Sequence, residues 1–511
     1  MPVRELTTGS TFAMAYVYLA WANYNTGDDK GRNETIEKAM ALSNKTSQKD
    51  RLYLEAGFAL FIDQDLDKHY ALLKELVQKY PDEKWAFHYL GDFLWTYRYD
   101  LAGAVKQFEK WLALDPQDAN ALNHLINISS WLGDFKKAAE YVKMHDAVAP
   151  SDPYNLFAQS VMYANMGQLD KAIAKSKEAL EIRPDYSKGF LNLIILYAVR
   201  EEYEESMRWA NEFVAKASSV GEKSEAYCQR GFYHFWRGKF KDALGDFDLA
   251  DKMAEEAENW IYKANALEGK GILYLAKGEF ELSRTCFENE LKILIERVRA
   301  WVPFHEAYLA WRLGMLAVEQ GQASPAKAKL SEMKAILPEL YDKDKGLLTA
   351  LGNLLQGEVL LSQGDFDAAL AASQKAFGPG SPYWNRGYTW PFNEYTSYYT
   401  DLAARVLAKK GDVAKAISEY ERLLKLDKGP FLVHPLYHYR LGLSYERAKD
   451  VAKAKAQYQK FLDLWKDADP GRPEVEDAKK RLASLNMHSR ISTRREHARI
   501  ESSLPTLNAA I

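Results

Sequence analysis

Residues able to do chemistry are few in this chain. His434 and His438, in HPLYH, stand four apart and would share one helix face, the spacing of a two-histidine zinc motif. Zinc needs a third ligand, and the familiar H-E-x-x-H carries a glutamate after its first histidine, where this chain has Pro435. We therefore read His434 as a helix-start residue and His438 as an ordinary surface histidine. GKGILY, from Gly269 to Tyr274, begins like a dinucleotide loop but lacks the third glycine. No phosphate loop, no G-x-S-x-G elbow and no kinase catalytic set occurs. The reading is of no catalytic residue, no metal site and no cofactor.

Composition narrows the class further. The 511 residues carry a formal net charge of -3, with 47% hydrophobic and 27% charged residues. Such a balance gives no global attraction to nucleic acid or to an anionic membrane. The longest apolar run near the start, Phe12 to Tyr24, falls short of the about 20 residues a membrane-spanning helix needs. Two cysteines, Cys228 and Cys286, rule out a disulfide framework and are read as buried, reduced thiols in a cytoplasmic protein.

What must position any site is a repeat. Gly133 and Gly167 are each followed five residues on by alanine, Ala138 and Ala172. Pro116, Pro150 and Pro184 close successive blocks at thirty-four-residue spacing, with Pro81 before them. Glycine suits the turn between two helices, where the backbone goes left-handed. Ala104, Ala138, Ala172, Ala243, Ala369, Ala416 and Ala454 are expected on second helices, facing the first helix of the same pair. Gly91, Gly231, Gly271, Gly314, Gly357 and Gly442 are expected on first helices, at close approaches. Proline ends the second helix, having no N–H to donate. Arg32 and the Gln159–Ser160 pair depart from this pattern.

The outline of small residue, G-D/E-F turn, alanine and terminal proline resembles the tetratricopeptide repeat. NLFAQSVMYANMGQLDKAIAKSKEALEIRPDY and YRLGLSYERAKDVAKAKAQYQKFLDLWKDADP are its clearest copies. The resemblance implies an all-α, right-handed α-solenoid of about twelve helical pairs over residues 11–485, closed by a capping helix, PEVEDAKKRLASL. We divide it into an N-terminal array at 11–217, longer and looser repeats at 218–345, and a C-terminal array with its cap at 346–485. Residues 1–10 read as the worn end of a preceding repeat or a flexible start, and 486–511 as a disordered tail.

The stretch SQKDRLYLEAGFALFIDQDLDKHYALLKELVQKYPDEKWAFHYLGD, and the C-terminal repeat from HPLYHYRLG, look like the repeat regions behind bacterial serine/threonine kinases, adenylate cyclases and winged-helix regulators. In those proteins an effector domain precedes the repeats. The resemblance implies a scaffold that binds a protein or peptide in its concave groove, or else the sensory part of such a signalling protein.

First helices should line the groove. In repeats three to five their inward positions hold Trp85, His88, Tyr89, Asp92, Trp95, Asn123, His124, Asn127, Trp131, Tyr154 and Phe157. Trp95 is expected to anchor an apolar side chain, and Asn123 with Asn127 to hold a peptide backbone through amide donors and acceptors. The clamp that some of these repeats form on a C-terminal carboxylate is not expected, because Ala158 stands where an asparagine is required. The segment Gly378–Tyr395 is read either as a ligand-clamping loop or as a connector whose aromatics fill the seam between repeats.

Overall fold

The computed structural model describes residues 11–26, 29–297, 301–340, 342–377, 399–424 and 434–487. The Gly378–Tyr395 segment, residues 1–10 and nearly all of the tail lie outside them. Every element among the described residues is helical, with no strand. The helices follow one another as antiparallel pairs, such as Ala119–Trp131 with Phe135–Val148 and Pro153–Asn165 with Leu169–Ile182. A helix over 473–487 closes the array. This is the all-α solenoid the repeat implies.

Each pair is built by the same local devices. Aspartates start the helices: Asp134 accepts from the Lys137 N–H at 3.1 Å, and Asp65 from that of Lys68 at 2.9 Å. Gly133 (φ 76°) and Gly167 (φ 73°) make the left-handed turn between helices. Repeats two and three lack that glycine. Their first helices run instead into π-turns, Ala59–Asp63 and Leu94–Arg98, and Gln64 and Tyr99 take positive φ, both 54°. Nothing in the helical periodicity announces the π-turns.

Small residues sit where side chains interlock. A Cβ on Gly91 would lie 2.4 Å from the ring of Phe108, in the second helix of the same repeat. The fifth repeat exchanges this glycine–aromatic contact for a polar one. Ser160 donates to the Ala172 carbonyl at 2.6 Å and lies 2.8 Å from the Ser176 hydroxyl, and Asn192 of the next repeat donates to both serines. The departure at Ser160 is thereby satisfied inside the core. Ala172 itself is fully buried. Ala172→Trp is expected to lose about 1–3 kcal/mol or more by overpacking, read as a lower denaturation midpoint.

The chain also closes on itself. The last pair packs against repeats six and seven, more than two hundred residues earlier. Trp465 Nε1 donates to the Trp236 carbonyl at 2.7 Å, and the Asp469 N–H to the Gly238 carbonyl at 3.0 Å. Arg237 pairs with Asp467 at 2.8 Å. One buried cluster accordingly contains both Phe190 and Trp236 and, from the far end, Tyr437, Phe461 and Trp465. A second closure stacks Tyr97 of repeat three on Trp301 of repeat nine, centroids 5.4 Å apart.

This closure revises the histidine reading. His434 does start a helix, its Nδ1 accepting from the Leu436 N–H at 3.2 Å, but its ring is buried against Trp236. His438 is not a surface residue. It is buried, with Nε2 2.7 Å from Glu201 and Nδ1 2.8 Å from Gln457. The neighbouring turn of the solenoid covers it, which a single repeat does not disclose. Burial would raise the Glu201 carboxyl, but His438 and Lys460 hold it down at about 2.

Candidate binding groove

Consecutive first helices touch one another, as Ala119–Trp131 touches Pro153–Asn165, whereas consecutive second helices stay further apart. The first helices therefore occupy the smaller radius and form the inner wall. Their inward side chains are the candidate functional surface.

Repeats three and four contribute its densest part. His88 and Asp92 lie one turn apart on the helix Lys84–Phe93, and His124 comes from Ala119–Trp131. The His88 Nε2 lies 3.4 Å from one Asp92 oxygen, and the His124 Nε2 3.9 Å from the other. Aromatic rings fix both imidazoles. His88 packs on Trp111 with centroids 4.6 Å apart and on Trp85 at 5.6 Å. His124 stacks on Phe108 at 4.7 Å and meets the edge of Trp95 at 5.4 Å. Trp131 stands 5.2 Å beyond Trp95. The close approach at Gly91 thus seats Phe108, and Phe108 seats His124.

The electrostatics follow from depth. About 36% of the Asp92 side chain remains accessible, yet protein surrounds it on the groove floor, and burial pushes its carboxyl up to about 7. Burial lowers His88 to about 4 against the pull of Asp118, and lowers His124 to about 3, with His88 adding to the effect. Both imidazoles are neutral at physiological pH.

Of the residues expected in the groove, Trp85, His88, Tyr89, Asp92, Trp95, His124 and Trp131 come together. Asn123 and Asn127 do not join them. Asn123 is 1% exposed and donates to Asp152 at 3.3 Å, while the Asn127 amide donates to the Asn123 carbonyl at 3.0 Å. The helix phase turns this pair toward the start of the fifth repeat. Its amides serve packing, not an open peptide channel.

Sequence reasoning named Tyr154 and Phe157 in the continuation of this wall but passed over Lys188, Glu225 and Tyr262 beyond them. The Lys188 ammonium lies over the Tyr154 ring at 4.7 Å, with burial lowering its pKa. Farther on, the Tyr262 hydroxyl donates to Glu225 at 3.4 Å, and burial pushes the Glu225 carboxyl up to about 7. The signal was the repeat period: Lys188 stands thirty-four residues after Tyr154, and Tyr262 thirty-seven after Glu225.

The repeats that build this wall have counterparts among known proteins. Residues 154–186 and 402–473 match tetratricopeptide-repeat family models, so the chain carries such repeats in those segments. No curated protein matches the chain. Among solved structures, a tetratricopeptide repeat protein from Parabacteroides merdae is 18% identical, covering 56% of this chain and 98% of its own, with a TM-score of 0.32. A thermophilic TPR protein from Thermus thermophilus is 22% identical, covering 36% of this chain and 99% of its own, with a TM-score of 0.30. The MamA structure is 17% identical, covering 32% and 93%, with a TM-score of 0.27. Tetratricopeptide repeats generally mediate protein–protein interactions. No helix among the described residues is long and apolar enough to cross a membrane.

Proposed function

We propose that this protein is a non-enzymatic scaffold whose inner wall, from repeat three to repeat seven, holds a segment of a partner protein. The observation that carries this reading is the composition of that wall. Trp85, Trp95, Trp131, Tyr154 and Phe157 are each partly exposed, and the Lys188 ammonium lies over the Tyr154 and Phe157 rings. Rigid aromatics supply contact area at small entropic cost, and the ammonium selects polarity along the bound segment. An apolar partner side chain would pack on the exposed surfaces of the Trp95–Trp131 pair, and an acidic one toward Lys188. No catalytic step is assigned to the wall.

The test compares partner capture from the source organism by wild type, Trp131→Ala, Lys188→Ala and the outer-surface control Leu282→Ser. Leu282 lies on a second helix and is 50% exposed. Loss of an aromatic anchor typically costs about 2 kcal/mol or more in binding, about thirtyfold. Both groove variants, with melting curves close to wild type, are expected to lose the partner while the control retains it. Full capture by both folded groove variants would remove this reading.

A further inference from the structure

We propose that His88, Asp92 and His124 bind one divalent transition-metal ion of the zinc class on the groove floor. Two imidazoles and one carboxylate form a donor set suited to zinc, cobalt or nickel. One donor atom from each residue can be chosen so that all three lie within 4.8 Å of one another. Ligand bonds of about 2.0–2.1 Å around a tetrahedral ion place donors roughly 3.4 Å apart. The His88 Nε2 lies 3.4 Å from Asp92 Oδ2, which matches that edge, and the His124 Nε2 lies 3.9 Å from Oδ1. The carboxylate thus faces both imidazoles, each through a different oxygen, and a rotation of its side chain with a small shift of His124 would bring a donor to the ion between them.

The same gaps argue against the simpler account of a histidine–carboxylate hydrogen-bond cluster. Ordinary N–H···O bonds span about 2.7–3.2 Å. The three groups converge without reaching that range, as ligands do around a centre. They are also held in place, which lowers the cost of binding. His88 is wedged by Trp85 and Trp111, and His124 by Phe108 and Trp95. The supporting helices are tied together by Asp118, which accepts from Trp111 Nε1 at 3.1 Å and pairs with Lys84 at 3.0 Å. Asp92 is partly accessible, so three protein ligands leave a fourth position facing the groove, for water or for a donor from a bound segment. The sequence spacing is His-x3-Asp on one first helix and a second histidine thirty-six residues after the first, about one repeat on.

The experiment uses the full chain, freed of metal by chelation, and needs no partner, so its failure leaves the scaffold reading intact. Zinc is titrated calorimetrically, and cobalt is followed by visible absorption and by quenching of the nearby tryptophans. The expected result is one equivalent bound, with a tetrahedral cobalt spectrum. Asp92→Asn, nearly isosteric, and His124→Ala should each weaken zinc by more than roughly tenfold, the least expected for a lost ligand when outer-shell changes alone cost 10–100-fold. His305→Ala, a histidine of the helix Val302–Glu319 outside the cluster, should bind as wild type. Absence of stoichiometric binding overturns the proposal. So does unchanged affinity in Asp92→Asn, which decides the matter should His124→Ala fail to fold.

Discussion

Arg312→Met is expected to destabilise repeats eight and nine by about 3–5 kcal/mol, the cost of leaving buried charge without its partner. The guanidinium is 2% exposed and bridges Glu268 and Glu290, themselves 3% and 5% exposed, while lying 4.2 Å above the Tyr308 ring. Burial pushes both carboxyls upward, and Arg312 pulls against it. Methionine fills much of the volume but leaves two facing acids in an apolar interior. The loss should depend on pH in a definite direction. In the variant both folded-state pKa values lie above the unfolded value near about 4.5, so the folded state binds more protons. Stability is then greatest below that value and falls as pH rises toward the folded values. Denaturation midpoints should show a larger deficit at pH 8 than at pH 5, and adding Glu268→Gln with Glu290→Gln should recover part of it. A deficit equal at both pH values would show that packing, not charge, sets the effect.

Trp465→Ala is expected to cost about 3–5 kcal/mol and to open the solenoid. The indole is 3% exposed, donates to the Trp236 carbonyl, and lies beneath Gly238, whose added Cβ would meet it at 3.1 Å. Arg472 reaches over Phe240 at 4.2 Å, extending the same contact. With the indole gone, the far end keeps the polar contacts of Arg237, Lys241 and His438 and the smaller packing of His434 on Trp236 and Arg472 on Phe240. Small-angle scattering should report an increased radius of gyration with helical content nearly unchanged. A variant as compact as wild type would show that the remaining contacts suffice. Trp465→Phe, which retains a ring but loses the hydrogen bond, should fall between the two.

Much of the fold was legible because each repeat is a local problem. Gly133, Ala138 and Pro150 act within one helical pair, and the thirty-four-residue period writes that pair out again at Gly167, Ala172 and Pro184. The candidate groove was legible in part. His88, Asp92, Trp95 and His124 were expected on the inner wall and are found together there. Asn123 and Asn127 were expected beside them and are buried toward the next repeat. A helix turns about 100° per residue, so a small error in the assumed phase moves a residue from the groove to the seam.

Composition, period and turn chemistry determined that the chain is helical, that its helices pair in order, and where on each helix of a pair the small residues fall. None of these reaches beyond a neighbouring repeat. The rotation between successive pairs is small, and its sum over six repeats decides which turns of the solenoid meet. Only the tertiary structure brings Trp465 onto Trp236, His438 onto Glu201 and Tyr97 onto Trp301. Only it aims His88, Asp92 and His124 at one point, because the distance between side chains on two helices depends on crossing angle and rotamer, which a one-dimensional period does not contain.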